Sequence, residues 1–263
     1  MHRFRPKRWL LAAAPILALL ILGDEKPATI NPNERVLLVT AHPDDECFFF
    51  GPTLLGLSSQ TDSLFSLTVS NGNNDGLGLS REPELRSSLA ILGVPPERSF
   101  LLSHPLLQDN FTQVWDSNVI IEAILPYVLD HRITTILTFD RLGISSHPNH
   151  YSLFYGVQHL LVSAPFRRHQ LRAYALVTEP LLIKYSGWLG LLSRWIFYRH
   201  TSKGDATSLG LPARRYTSGL PSYLITFYAM TQHRSQMVWF RWLYLFFSRY
   251  LWVNDWVEIE AAS

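Results

Sequence analysis

Three stretches restrict the fold of this 263-residue chain more than anything else in it: "RVLLVT" at 35–40, "SLFSLTVS" at 63–70 and "ITTILTFD" at 133–140. The first and third are runs of aliphatic and β-branched residues, and all three are too short for a helix, which is the pattern of a strand covered on both faces. Helical stretches separate them. "FFFGPTLLGLSS" follows the first strand, and "REPELRSSLAILG", capped by Ser80 and ended by Gly93 and Pro95, follows the second. "SNVIIEAILPYVLDH" precedes the third, and "YSLFYGVQHLLV", with Pro148 at its first position, comes after it. "LRAYALVT" reads as a further strand. Alternation of this kind specifies an α/β domain, a Rossmann-like three-layer sandwich with a mostly parallel sheet. No repeat or low-complexity segment interrupts it, and the length suits one core. The domain is placed at 35–263.

Residues 1–34 have a different character. A basic start is followed by an uncharged, apolar stretch from Trp9 to Gly23 and then by an acidic, proline-containing tether. As a helix the stretch would reach about 22 Å, short of a ~30 Å hydrocarbon core, which fits a signal-peptide h-region or a short anchor with Arg8 and Trp9 at the interface. Ile21, Leu22 and Gly23 make a poor cleavage site, so it is placed as an N-terminal membrane anchor. The net charge of +2 has no concentrated basic stripe, which argues against nucleic acid as a partner. One cysteine, Cys47, excludes an intrachain disulfide. Eight tryptophans and 13% aromatic residues point to an interface, and the stretch from Met237 to Trp252 either lies on a lipid bilayer with Arg241 and Arg249 at lipid phosphates or packs on the domain.

In an open parallel sheet, ligands bind outside the carboxyl ends of the strands. Both unusual polar clusters fall there. His42, Asp44, Asp45 and Glu46 leave the end of "VLLVT", and Asp140, His147 and His150 follow the end of "ILTFD". Imidazole and carboxylate groups from two loops suit a divalent, zinc-like ion, two histidines and one aspartate being enough, with a coordination position left for water. "HPDDE" offers a ligand and a base on adjacent residues. His147 and His150 are three apart at a helix start, so one can ligate while the other acts as acid or oxyanion partner. Each motif alone would also suit a helix cap.

"AHPDDE" after a strand, "HPNH" after a "TFD" strand and the late "HRSQMVWF" resemble the N-acetylglucosaminylphosphatidylinositol de-N-acetylase family, the PIG-L and LmbE-like de-N-acetylases, from about Arg35 to Asn254. The resemblance implies an LmbE-like fold and a zinc-dependent amidohydrolase acting on a membrane glycolipid in the second step of glycosylphosphatidylinositol anchor synthesis. It makes His42, Asp45 and His150 the metal ligands, Asp44 the general base and His147 the acid or oxyanion stabiliser. Arg81, Asp140 and His233 are implied on the substrate side. Leu79 stands where the family often has glutamate. The implied location is the endoplasmic reticulum membrane with the domain facing the cytoplasm, although Arg3, Arg5, Lys7 and Arg8 alone would send the domain across the membrane. A deacetylase of a soluble N-acetylglucosamine sugar or polysaccharide would use the same motifs. No protein partner is legible.

Overall fold

The computed structural model describes residues 31, 33–163, 171–191 and 213–260. The expected N-terminal anchor, and all but three residues of the tether, lie outside the described residues. Among the described residues no helix is long and apolar enough to cross a membrane.

One seven-stranded sheet organises the chain. Its strands are β1 (Val36–Thr40), β2 (Leu64–Thr68), β3 (Ser99–Leu101), β4 (Thr135–Phe139), β5 (Arg172–Leu176), β6 (Arg214–Thr217) and β7 (Val253–Glu258), in the order β3-β2-β1-β4-β5-β7-β6. The first five are parallel, and β7 runs antiparallel between β5 and β6. β1, β2 and β4 are buried along their whole lengths, as their apolar runs require. The chain leaves β1 toward β2 and β3, then returns to β4 on the other side. That reversal opens a crevice at the carboxyl ends of β1 and β4.

Helices α4 (Ser117–Asp130) and α5 (Pro148–Val162) pack on each other as one layer, and α2 (Gly51–Ser58), α3 (Gly78–Ile91) and α7 (Leu220–Met230) form the other. The α4–α5 contact needs Gly156, because a Cβ there would lie 2.4 Å from Ile120 Cγ2. A single helix was expected over 48–59. The chain instead forms a short α1 (Asp45–Phe49) and then α2, with Phe50 between them and Pro52 in the first turn of α2. Ser80 does not cap α3. That helix begins at Gly78, with Leu77 in the cap position, and Asn73 Oδ1 accepts from the Gly78 N–H at 2.9 Å.

The aromatic stretch from Met237 to Trp252 divides in two. On α8 (Trp239–Phe247), Trp239, Phe240, Phe246 and Phe247 are exposed, whereas Tyr250, Leu251 and Trp252 are buried in the core. Arg249 is not at a lipid phosphate: it is buried between Glu179 at 2.8 Å and Asp255 at 2.6 Å. Drawing this guanidinium to a membrane would break both pairs and leave Glu179 without its arginine.

Two tryptophans test this division. Trp256 is fully buried, with Nε1–H donating to Thr53 Oγ1 at 3.0 Å, and Trp256→Ala should cost about 3–5 kcal/mol in urea unfolding. Trp239 is 75% exposed, and Trp239→Ala should stay within about 0.5 kcal/mol. Equal losses would contradict the burial assigned to the two ends of the stretch.

Candidate metal and acid-base site

The turn after β1 builds the first half of the site. Asp44 sits at φ 109, a left-handed conformation uncommon for any residue but glycine. Its N–H donates to Glu46 Oε2 at 2.9 Å. Glu46 has no solvent contact, and its other oxygen accepts from Ser88 Oγ at 2.5 Å and from His233 Nε2 at 2.6 Å. Asp45 then enters α1 and turns its carboxylate back, so that Oδ2 accepts from the N–H groups of Ala41 at 3.0 Å and His42 at 2.9 Å. Asp45 Oδ1 is left facing the crevice.

The loop after β4 supplies the second half. Ile144 at φ 61 and Ser146 at φ 57 make a strained turn before His147. His147 caps α5, its Nδ1 accepting from the Asn149 N–H at 3.2 Å. His150 lies one turn in and stacks on Phe139 with ring centroids 4.0 Å apart.

The partners of each ring decide which nitrogen carries its hydrogen. His150 Nδ1 faces the Gly143 carbonyl at 3.3 Å, so it must be the N–H side. Its Nε2 then carries a lone pair, buried without a hydrogen bond and 3.3 Å from Asp45 Oδ1. His42 Nε2 faces two acceptors, Asn149 Oδ1 at 3.0 Å and Asp109 Oδ1 at 3.2 Å. That leaves the His42 Nδ1 lone pair toward Asp45, 4.0 Å from Oδ2. Two imidazole lone pairs therefore converge on a carboxylate with no proton among them, which is unfavourable unless a cation lies between. The expected set of His42, Asp45 and His150 fits a divalent ion, and the three can present ligand atoms within 4.8 Å of one another. His42, Asp109 and His147 are equally close together. They fit an ion less well, because His42 Nε2 and His147 Nε2 are the N–H sides of their rings.

Electrostatics support this assignment. Burial, only partly opposed by Asp45, lowers His42 to about 4. Burial and the neighbouring rings of His150 and His42 lower His147 to about 4 as well. Both rings are neutral at pH 7, as a ligand and a neutral hydrogen-bond donor require. Burial works against the charged form of Asp45, and the N–H groups of Ala41 and His42 that donate to its Oδ2 favour it.

Asp44 is held differently. Arg241, from α8, reaches its Oδ2 at 2.5 Å, and Arg81 approaches the same oxygen at 3.4 Å. Among the described residues no donor reaches Oδ1. Arg241 was expected at a lipid phosphate and instead pairs with Asp44. Arg81 belongs to the site but is buried and committed to the protein: it also donates to the carbonyls of Gly72 and Pro43 and lies 3.5 Å from Asp109. Gly72, at φ 66, leaves room for it, since a Cβ there would fall 2.4 Å from Arg81 Nη1.

Two of the residues implied on the substrate side stand elsewhere. Asp140 accepts from the N–H groups of Leu142 and Gly143 at 3.0 Å and from the N–H and hydroxyl of Thr178 at 2.7 and 2.6 Å, so its oxygens brace the loop. His233 is fully buried behind Glu46 and can act only through it. Leu79 is 92% exposed and adds nothing to the site. Asp109 was missed because its loop carries no motif. Asn149 stands inside "HPNH", where only the two histidines were singled out, and its contact with His42 is visible only in the structure.

Removing His150 should abolish bound metal. His150→Ala should weaken zinc affinity by more than the ~10–100-fold typical of losing a supporting group, while His147→Ala should retain the ion. Retention by His150→Ala and loss by His147→Ala would transfer the site to the Asp109 side.

Comparisons with known proteins bear on the family and the fold. The sequence pattern of the family described as PIG-L, GlcNAc-PI de-N-acetylase, matches residues 37–161. A Dictyostelium discoideum protein named a probable N-acetylglucosaminyl-phosphatidylinositol de-N-acetylase is 32% identical over 86% of this chain and 94% of its own length. The Bos taurus N-acetylglucosaminyl-phosphatidylinositol de-N-acetylase is 34% identical over 84% of this chain and 82% of its own. Among solved structures, N,N'-diacetylchitobiose deacetylase from Pyrococcus horikoshii shares the fold, with a TM-score of 0.56 and 15% identity, and the match covers 98% of this chain and 94% of that one.

Proposed function

The chain belongs to the family of N-acetylglucosaminyl-phosphatidylinositol de-N-acetylases, and on that premise we infer what its site does. It hydrolyses the N-acetyl group of N-acetylglucosaminylphosphatidylinositol, giving acetate and glucosaminylphosphatidylinositol, the second step of glycosylphosphatidylinositol anchor synthesis. The observation that carries the reading is the pair of imidazole lone pairs aimed at Asp45, beside an Asp44 carboxylate with one oxygen open.

A divalent ion held by His42, Asp45 and His150, with zinc the proposed metal, would polarise the amide carbonyl and lower the pKa of water toward ~7. Asp44 supplies the proton acceptor. Arg81 and Arg241 fix its Oδ2, so Oδ1 is presented in one orientation to the attacking water. Because His147 is neutral and uses Nδ1 as a helix cap, its Nε2–H is the group available to the oxyanion that develops on the acetyl carbonyl. The proton taken by Asp44 is then placed to reach the departing amine. Asp109 lies beside His42 and Arg81, where it steadies both.

A bilayer partner is supported by the apolar surface that α8 exposes next to this site, and an endoplasmic reticulum membrane location with a cytoplasmic-facing domain follows from the family resemblance. Protease treatment of intact microsomes checks the orientation: the domain should be digested without detergent, and protection would place it in the lumen.

Asp44→Asn keeps the shape of the side chain and removes its basicity. Acetate release from the labelled glycolipid should fall roughly 10²- to 10⁴-fold with metal content retained, and a chelator should abolish the wild-type reaction. Loss of metal from the variant would make Asp44 a ligand.

A further inference from the structure

Beside the catalytic crevice lies a second cavity of about 430 Å³, bounded by the 143–146 turn, α6 (Leu181–Lys184) and α8. Arg241 links the two, since it lines the cavity and pairs with Asp44. Phe49 does so as well, its ring lying 5.8 Å from that of His150. The walls are Phe240, Leu243, Phe247 and Tyr185 among others, and among the described residues the charged lining is Lys184 and Arg241.

Lys184 has no part in the chemistry described so far. Its side chain is buried, the residue being 6% exposed, and no carboxylate lies within ion-pair distance among the described residues. Its Nζ donates to the Ile144 carbonyl at 3.2 Å and to Ser145 Oγ at 2.6 Å, two neutral acceptors for a group with three donors. Burial lowers its pKa, with no anion to oppose the shift. An ammonium in that position is costly until an anion joins it. Outside the cavity the surface turns apolar: Leu181, Leu182 and Ile183 on α6 and Phe246 on α8 are exposed, Leu182 at 89%, and Phe247 at the rim is exposed as well.

A buried cation facing a cavity with an apolar rim suits an anionic amphiphile, and on the glycolipid reading that anion is a phosphodiester attached to acyl chains. We propose that this cavity receives the phosphodiester of a phospholipid, with Lys184 Nζ donating to a phosphate oxygen and the acyl chains leaving over α6 and α8. The assignment rests on the glycolipid reading above and deepens it, placing the lipid end of the substrate on one side of Asp44.

The test is binding of monomeric dihexanoyl phosphatidylinositol to the full-length protein, with inorganic phosphate and dihexanoylglycerol as comparison ligands. The wild-type protein should bind the phospholipid at least about 10-fold more tightly than either comparison, because each offers half of the recognised chemistry. Lys184→Met should weaken phospholipid binding about 10- to 100-fold, the usual range for losing one charge-assisted hydrogen bond, and Lys184→Arg should weaken it less. Phe247→Glu alters an exposed position and sets a carboxylate at the cavity, so it tests the same site should Lys184→Met fail to fold. Unchanged phospholipid affinity in Lys184→Met, or in Phe247→Glu if that is the variant that folds, would overturn the proposal. Inorganic phosphate binding as tightly as the lipid would overturn the lipid assignment. Acetate release from the glycolipid is scored separately, so failure of the catalytic reading is told apart from failure of this one.

Discussion

The buried carboxylate of Glu46 is the interaction on which the site depends. It is fully enclosed, and a charge there is tolerated only because three donors converge on it: the Asp44 N–H, the Ser88 hydroxyl and His233 Nε2–H. The first of these holds Asp44 in a backbone conformation that costs about 1–3 kcal/mol outside glycine. That inversion is what separates two adjacent aspartates. Asp45 turns back toward Ala41 and His42 and faces the two imidazoles, whereas Asp44 faces the two arginines. Two adjacent carboxylates face opposite partners because a single φ angle changes sign between them.

The parts of the fold that could be read from sequence are those whose cause is local. β1, β2 and β4 announce themselves because burial on both faces leaves little room for polar residues. β6 and β7 do not. "RRYT" and "VNDWVE" carry charges that are answered far away in the chain, Arg214 by Glu34 and Asp255 by Arg215. The same division holds in the site. His42, Asp45 and His150 were legible because strand ends place two short motifs in one crevice. Arg241 was in view but misread, since nothing near it in sequence shows that its partner is an aspartate 197 residues earlier. Asp140 was misplaced for the opposite reason: its position after β4 is right, and only the hydrogen bonds show that it serves the loop.

The imidazole arrangement also illustrates how little of a metal site lies in its ligands. His42 is oriented by Asn149 and Asp109, and Asn149 in turn accepts from the Asn110 N–H and donates to the Gln113 carbonyl. His150 is set by the Gly143 carbonyl and by the face of Phe139. These neighbours choose the tautomers, and the tautomers choose where an ion can sit.

The placement of β7 bears on the order in which the molecule can be made. This strand enters between β5 and β6, and its Asn254 side chain accepts from the Thr53 N–H and donates to the Phe49 carbonyl, fastening α1 and α2 from behind. A nascent chain that has emerged only as far as α5 carries every residue that aims a lone pair at an ion, yet lacks Arg241, His233 and the strand that completes the sheet. Its unfinished edge would be open to other chains throughout that interval. Competence therefore arrives late, when His233, Arg241 and β7 close over what the residues as far as α5 prepared.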